Sequence, residues 1–108
     1  MAEHLKVTLS LKWRHGADYE AEVSVQLPED CFHYFDLKAG LPPGEVGLPE
    51  IQYLSATITR DTSRACAEHV TSPSKKIGIS FLQGKQKVTA NAVLKGKIVG
   101  SDTKPFPR

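Results

Sequence analysis

"LKVTLSLKW", residues 5–13, decides how the fold begins, because apolar and polar side chains alternate through it without a break. Side chains of a β-strand point alternately to its two faces, so this spacing predicts a strand with one buried and one wet face. The buried face is expected to carry Leu5, Val7, Leu9, Leu11 and Trp13.

The next apolar segment, residues 19–27, repeats this alternation after a loop that contains glycine. Two alternating segments joined by such a loop predict a β-hairpin. If Trp13 lies opposite Tyr19, the wet face places Lys12 opposite Glu20. Opposite charges that face each other on neighbouring strands stabilise the pair, so pattern, turn and charge agree on this hairpin.

A second hairpin is predicted nearer the carboxyl end. Residues 76–81 and 87–94 both alternate, and Gly84 with Lys85 suits a two-residue turn that pairs Phe81 with Val88. The wet face of these two strands then collects a row of lysines: Lys76, Lys87, Lys95 and Lys97.

Between the two hairpins the signals are mixed. Residues 51–59 are rich in β-branched side chains and predict a strand. Residues 29–39 begin with acids after a proline and end before Gly40, which is typical of a short helix. Residues 60–70 are expected to be either a second short helix or irregular. The prolines and glycines of residues 40–50 exclude regular structure there.

These segments predict an all-β domain, either a small antiparallel β-sandwich or a partly open barrel, with one or two short helices between residues 29 and 70. The alternative is an α+β fold, in which the helices cover a single antiparallel sheet. A single domain is expected over residues 1–100, followed by a flexible tail over residues 101–108.

The composition is that of a globular protein without membrane spans. No apolar run approaches the roughly 20 residues that cross a bilayer. The first residues lack the basic start and apolar run of a signal peptide, so a cytoplasmic location is expected. Residues 1–54 carry a net charge of −5 and residues 55–108 a net charge of +7. This division is typical of two halves that attract each other within one fold, and it also fits an acidic partner.

The two cysteines leave three chemical states open. Reduced, buried thiols are favoured, whereas a Cys31–Cys66 disulfide requires an oxidising compartment. A zinc site would join both thiols to His33 and His69, but a Cys-x-His spacing is a poor zinc knuckle. We therefore expect neither a metal nor another cofactor.

The motifs of the common enzyme classes are missing. The chain has no glycine-rich phosphate loop, no Gly-x-Ser-x-Gly and no His-Glu-x-x-His. We therefore expect a protein that is not an enzyme. Phe32 and Tyr34, in the segment "CFHYF", are expected either to pack in the core or to line a binding pocket.

The function predicted on these grounds is that of a non-catalytic protein-binding module: an adaptor, inhibitor or assembly subunit that uses loops and sheet edges. Its partner is expected to be another protein or a second copy of the chain. The alternative is a small β domain that binds nucleic acid through the row of lysines. No stacking aromatic side chains interleave with that row, which is against the alternative.

Overall fold

The computed structural model describes residues 4–81 and 84–106, and every regular element within them is a β-strand. The strands in chain order are β1 Val7–His15, β2 Asp18–Val25, β3 Leu27–Glu29, β4 Phe32–Ala39, β5 Ile51–Arg60, β6 Glu68–Thr71, β7 Ser74–Ser80, β8 Lys87–Leu94 and β9 Lys97–Pro105. The all-β class is confirmed, whereas the predicted helices do not occur in these ranges. The described residues accordingly contain no helix long and apolar enough to cross a membrane.

The strands form three sheets. One has the order β1-β2-β7, another the order β4-β5-β8-β9, and β3 pairs with β6 alone. All neighbours are antiparallel except β5 and β8, which are parallel. The inner faces of the two larger sheets share one apolar core, consistent with a small β-sandwich.

The first hairpin has the predicted register. Trp13 lies opposite Tyr19, and Lys12 lies opposite Glu20. The inward residues of β2 are all buried, as are Leu5 and Leu9 on the preceding segment. Trp13 departs from the expectation, since 59% of its surface is exposed. The far half of β1 therefore extends beyond the core.

The second predicted hairpin is wrong. Strand β7 pairs with β2, which places Ile79 opposite Tyr19, while β8 lies in the other sheet between β5 and β9. As an interior strand, β8 is buried on both faces from Val88 to Leu94, so Thr89 and Asn91 are not on a wet face. Alternation specifies which side chains point inward but not which strand lies alongside. The same pattern was therefore compatible with a β7–β8 hairpin and with the observed placement of β7 and β8 in different sheets.

The helix predicted over residues 29–39 is also wrong. These residues form the end of β3, a turn and β4, whose register against β5 shifts between Tyr34 and Asp36. The shift is a β-bulge at Phe35, and a bulge adds one residue to one strand of a pair. Inward-facing positions therefore change from Phe32 and Tyr34 to Leu37, which interrupts the two-residue alternation typical of a strand.

Other expectations for this region fare better. Strand β5 occupies the predicted position and buries Leu54, Ala56 and Ile58. Residues 61–67 are irregular, which was one of the two alternatives for that segment, but residues 68–70 belong to strand β6, which neither alternative predicted. Ion pairs join the acidic half of the chain to the basic half: Glu29 to Arg60, Asp30 to Arg64 and Glu20 to Lys76. The uneven charge distribution therefore contributes to contacts within the fold.

The predicted tail is largely part of the sandwich. Residues 101–105 complete β9, which pairs with β8, and residues 107 and 108 lie outside the described residues. Phe106 is buried, and its ring makes edge-on contacts with Tyr19 and Phe81 at centroid distances of 5.4 and 4.8 Å. Its backbone amide donates to Gln86 at 3.1 Å. Phe106 thus closes the core at the end where β9 finishes.

Candidate functional site

The fold separates the four lysines that were predicted to form one row. Lys76 lies on β7 in the three-stranded sheet, with its ammonium nitrogen 3.9 Å from a carboxylate oxygen of Glu20. Lys87 begins β8 in the other sheet, and Lys95 and Lys97 follow its far end, about 25 Å away at about 3.3 Å per residue. Lys95 belongs to the turn into β9, with a φ of 53°. Only Lys95 and Lys97 are therefore neighbours.

Phe32 and Tyr34 lie on the same strand but have different surroundings. Phe32 is buried in the core, and the guanidinium carbon of Arg60 lies 5.2 Å from its ring centroid. Tyr34 is half-buried, and its hydroxyl oxygen has no hydrogen-bond partner among the described residues. Burial, followed by the charge of Asp36, raises the pKa of the Tyr34 phenol far above its ordinary value. Both side chains thus pack against the core.

Cys31 and Cys66 form a disulfide, with their Cα atoms 5.5 Å apart. The favoured expectation of reduced thiols is therefore wrong. The bond leaves neither thiolate to bind zinc, and the described residues contain no group of three or more His, Cys, Asp or Glu that could hold a metal ion. The pairing of β3 with β6 brings the two cysteines together, and this pairing joins strands that are distant in the sequence.

Hydrogen bonds surround the disulfide on both sides. The amides of Asp30 and Asp61 donate to Ala67 and Cys31 at 3.1 and 2.9 Å. The Asp30 carboxylate accepts from the amide of Ala67, which lowers the pKa of Asp30 together with the charge of Arg64. The pKa of Asp61 is also lowered, because its carboxylate accepts from the hydroxyl and amide of Ser63. Both side chains therefore stay ionised to a lower pH than an ordinary aspartate.

At the start of β1, the edges of the two large sheets meet in a seam. The amide of Leu5 donates to the carbonyl of Val99 at 2.8 Å, and the amide of Leu9 donates to the carboxylate of Asp102 at 2.8 Å. Gly100 lies directly against Leu5, so that a Cβ atom there would be 2.0 Å from the Leu5 carbonyl oxygen. The seam between β1 and β9 is therefore closed as far as Leu9.

Beyond Leu9 the same edge of β1 is open. In an antiparallel pair, the amides of alternate residues point to the same side of a strand. Leu11 and Trp13 therefore direct their amides away from β2, as Leu9 does. Within the part of the chain that the structure describes, β1 pairs with β2 alone, and neither amide donates to a residue outside that pair. We call residues 10–14 the open edge.

An apolar groove lies between the open edge and the end of β9. Its lining consists of Leu9, Ser10, Leu11, Lys104 and Pro105. Trp13, the only tryptophan of the chain, follows this groove along β1, and its indole N–H donates to the carbonyl of Gly16 at 3.0 Å. The groove thus combines an apolar surface with unpaired backbone amides.

Cationic side chains flank the open edge. Lys12 and Arg14 occupy the wet face of β1, and Lys104 lines the groove. A hydrogen bond from Arg14 is the main cause of the lowered pKa of Glu20, and the charges of Arg14, Lys76 and Lys12 add to it. Lys104 forms no ion pair with any other residue that the structure describes.

Residues 40–50 form a tightly hydrogen-bonded loop at the same end of the molecule, since β5 begins beside Lys87, opposite Pro105. The amide of Glu45 donates to Pro42 at 3.2 Å, and Gly44 has a φ of 87°, which suits the third position of a type II turn. The Leu48 amide donates to the Tyr53 hydroxyl at 2.9 Å. This loop presents Val46, whose surface is 95% exposed.

Replacing Gly47 with alanine is expected to displace this loop. The new Cβ atom would lie 2.3 Å from ring carbon Cε2 of Tyr53 and 2.8 Å from Cδ1 of Leu41. Overpacking of this kind costs about 1–3 kcal/mol in the free energy of unfolding. Chemical denaturation measures the loss, and Val46→Ala in the same loop is the control, with an expected change within about 0.5 kcal/mol. Equal stability of the two variants would contradict the close contact with Tyr53.

Sequence reasoning missed the open edge. It placed Leu11 and Trp13 on the buried face, and nothing in the alternation shows where β9 turns away from β1. The one available signal was the presence of the only tryptophan at the end of an alternating strand. The chain matches no protein-family model, no curated protein and no solved structure.

Proposed function

We propose that this protein is a non-catalytic protein-binding module that accepts an extended segment of its partner as an added strand at the open edge. The observation that carries the proposal is the seam between β1 and β9, hydrogen-bonded up to Leu9 and open at Leu11 and Trp13. In strand addition, main-chain hydrogen bonds give affinity and pockets for alternate side chains give specificity. The open edge offers the main-chain hydrogen bonds, and the neighbouring groove offers a pocket for side chains.

The exposure of Trp13 supports the same proposal. Tryptophan is enriched among residues that dominate protein interfaces, and 59% of this side chain is exposed next to an unpaired strand edge. The hydrogen bond from its indole nitrogen to Gly16 holds the ring in place before a partner arrives. A pre-positioned aromatic side chain loses little conformational entropy on binding.

The disulfide favours an oxidising compartment for this activity. Disulfides persist outside the cytosol, where thiols are not kept reduced. The cytoplasmic location expected from the amino-terminal residues therefore has the Cys31–Cys66 bond against it. We propose a partner that is met in such a compartment.

The nucleic-acid alternative has less support. It depended on one continuous row of lysines, and Lys76 lies in a different sheet from Lys87, Lys95 and Lys97. Lys76 is also close to the carboxylate of Glu20, which reduces its attraction for phosphate. We therefore give preference to the protein-binding role.

A matched pair of variants at Leu11 tests strand addition. Proline is tolerated on edge strands where its missing N–H would face solvent, so Leu11→Pro removes the outward donor and leaves the bonds to β2. Leu11→Ala shortens the side chain and keeps the donor. Extended peptides selected by display on the wild-type protein are expected to bind Leu11→Pro at least about tenfold more weakly than Leu11→Ala, because a lost hydrogen bond of about 1.4 kcal/mol corresponds to a factor of ten.

Hydrogen exchange locates the bound peptide. The amides of Leu11 and Trp13 are expected to become protected on binding, because they then donate to the added strand. The proposal fails if selected peptides bind without protecting these amides, or if the two Leu11 variants bind them equally well. Circular dichroism and thermal unfolding of each variant show that the fold is retained.

A further inference from the structure

We infer that the open edge selects a strand in which apolar and acidic residues alternate. This inference rests on the proposed function and names the chemistry of the partner. It follows from what surrounds β1, since β2, its paired neighbour among the described residues, already alternates apolar and acidic side chains. On that side Glu20 lies opposite Lys12, Glu22 lies opposite Ser10, and Ala21 lies opposite Leu11.

The added strand must follow the pleat of β1. Its side chains beside Leu11 and Trp13 lie on the groove side, next to Pro105, where apolar groups are favoured. Its side chains beside Lys12 and Arg14 lie on the wet face. Carboxylates at those positions meet ammonium and guanidinium groups, and opposite charges on adjacent strands stabilise each other.

The charges around the open edge leave a cationic surplus for the partner. On the two strands that border the groove, Lys12, Arg14 and Lys104 are the cations and Asp102 is the anion, whereas Glu20 and Glu22 lie on β2. Glu20 lies on β2, across β1 from the groove, and already shares its charge with Arg14 and Lys76. Asp102 accepts the amide hydrogen of Leu9 at the closed end of the seam. Lys104 has no carboxylate partner among the described residues.

A second copy of the chain fits the open edge poorly. Two copies of residues 10–14 that pair fully in an antiparallel manner are centred on Lys12, so Lys12 of one copy lies opposite Lys12 of the other. Like charges directly opposite each other on adjacent strands are destabilising. Lys12 thus disfavours pairing with a second copy and favours pairing with an acidic strand. An acidic segment of a different protein is therefore the better partner for the open edge.

A peptide with the sequence of β2, Asp18–Val25 ("DYEAEVSV"), is a suitable probe, because it alternates and is already complementary to β1. Two companion peptides replace both glutamates with glutamine or with lysine. The fluorescence of Trp13, the only tryptophan, reports binding at the open edge directly. We expect the glutamate peptide to bind about tenfold more tightly than the glutamine peptide, and the lysine peptide to bind most weakly. The differences should shrink as salt is raised.

A charge reversal completes the test. Lys12→Glu is expected to reverse the order, so that the lysine peptide binds more tightly than the glutamate peptide. Lys38→Glu is the control, because Lys38 is an exposed residue of β4 in the other sheet, and it should leave the wild-type order unchanged.

Equal binding of the three peptides at the open edge would overturn the acidic preference and leave strand addition standing. If neither these peptides nor display-selected ones protect the Leu11 amide, the inference and the proposed function fail together. Dimerisation of the wild-type protein that Leu11→Pro abolishes would assign the edge to a second copy and also overturn the inference.

Discussion

Removal of the Cys31–Cys66 disulfide is expected to cost about 4 kcal/mol in the free energy of unfolding, because the bond closes a loop over a separation of 35 residues. In the chain-entropy account, such a crosslink reduces the freedom of the unfolded chain. For a domain of this size, that loss lowers the midpoint of thermal unfolding by roughly 15–25 °C. The double variant Cys31→Ala/Cys66→Ala and the reduced wild-type protein should lose similar amounts.

Thermal unfolding with and without a reductant measures this effect, and the double variant is its control, since the reductant should not change its midpoint. Alkylation of the unreduced, denatured protein should find no free thiol. The loss of protection on reduction is expected to centre on β3, β6 and residues 61–67, where the amides of Asp30 and Asp61 donate across the bridge. A wild-type midpoint that is insensitive to reductant would contradict the crosslink.

Replacing Gly100 with alanine is expected to destabilise the protein by about 1–3 kcal/mol or more, because the new methyl group has no room. Its Cβ atom would lie 2.0 Å from the carbonyl oxygen of Leu5 and 3.3 Å from a methyl carbon of Val7. The first of these neighbours is backbone, which cannot rotate aside. Leu5, which precedes β1, must therefore move away from β9, and its hydrogen bond to Val99 is lost.

Gly78→Ala provides the matched control for this change. Gly78 also lies within a strand, β7, but a Cβ atom there would meet nothing within 4 Å. Since glycine weakens a strand interior, Gly78→Ala is expected to be neutral or to stabilise by up to about 1 kcal/mol. Denaturant titration of both variants compares them. Equal stability would show that the seam does not hold Leu5 as closely as described.

The β1–β2 hairpin was predictable in detail because all the information lies within 23 consecutive residues, 5–27. Alternation specified the faces, the glycine loop specified the turn, and Lys12 with Glu20 agreed with the resulting register. Strand β5 was predictable for a similar reason, since its β-branched side chains favour a strand regardless of which strands pair with it.

Pairing between distant segments was not predictable in the same way. Strands β7 and β8 each show the expected alternation, yet they join different sheets, and alternation does not depend on which strand lies alongside. Strand β4 was misread because Pro28, the acids after it and Gly40 resemble the ends of a helix, while the extra residue Phe35 interrupts the alternation of the strand. The disulfide depends on the pairing of β3 with β6. These strands have only three and four residues, which is too short for a periodic pattern in the sequence.

The candidate site was the least predictable feature. Its existence depends on where β9 stops following β1, a property of two strands in different sheets. Phe32 and Tyr34 were singled out for their side-chain chemistry, and the four lysines for their charge and their predicted place on one wet face. The open edge contributes main-chain amides instead. Because every non-proline residue has such an amide, the residue types do not mark it in the sequence.

Residues 51–58 of β5 each pair with one that lies 36 positions later, from Ile51 with Lys87 to Ile58 with Leu94. Such a ladder cannot grow from a hairpin turn, since the intervening chain must first be brought back to the starting end of β5. Loop closure precedes any gain from the new contacts, and folds dominated by distant contacts fold slowly. The β1–β2 hairpin is thus expected to form early in refolding. The pairing of β8 with β5 is expected to limit the refolding rate of the whole domain.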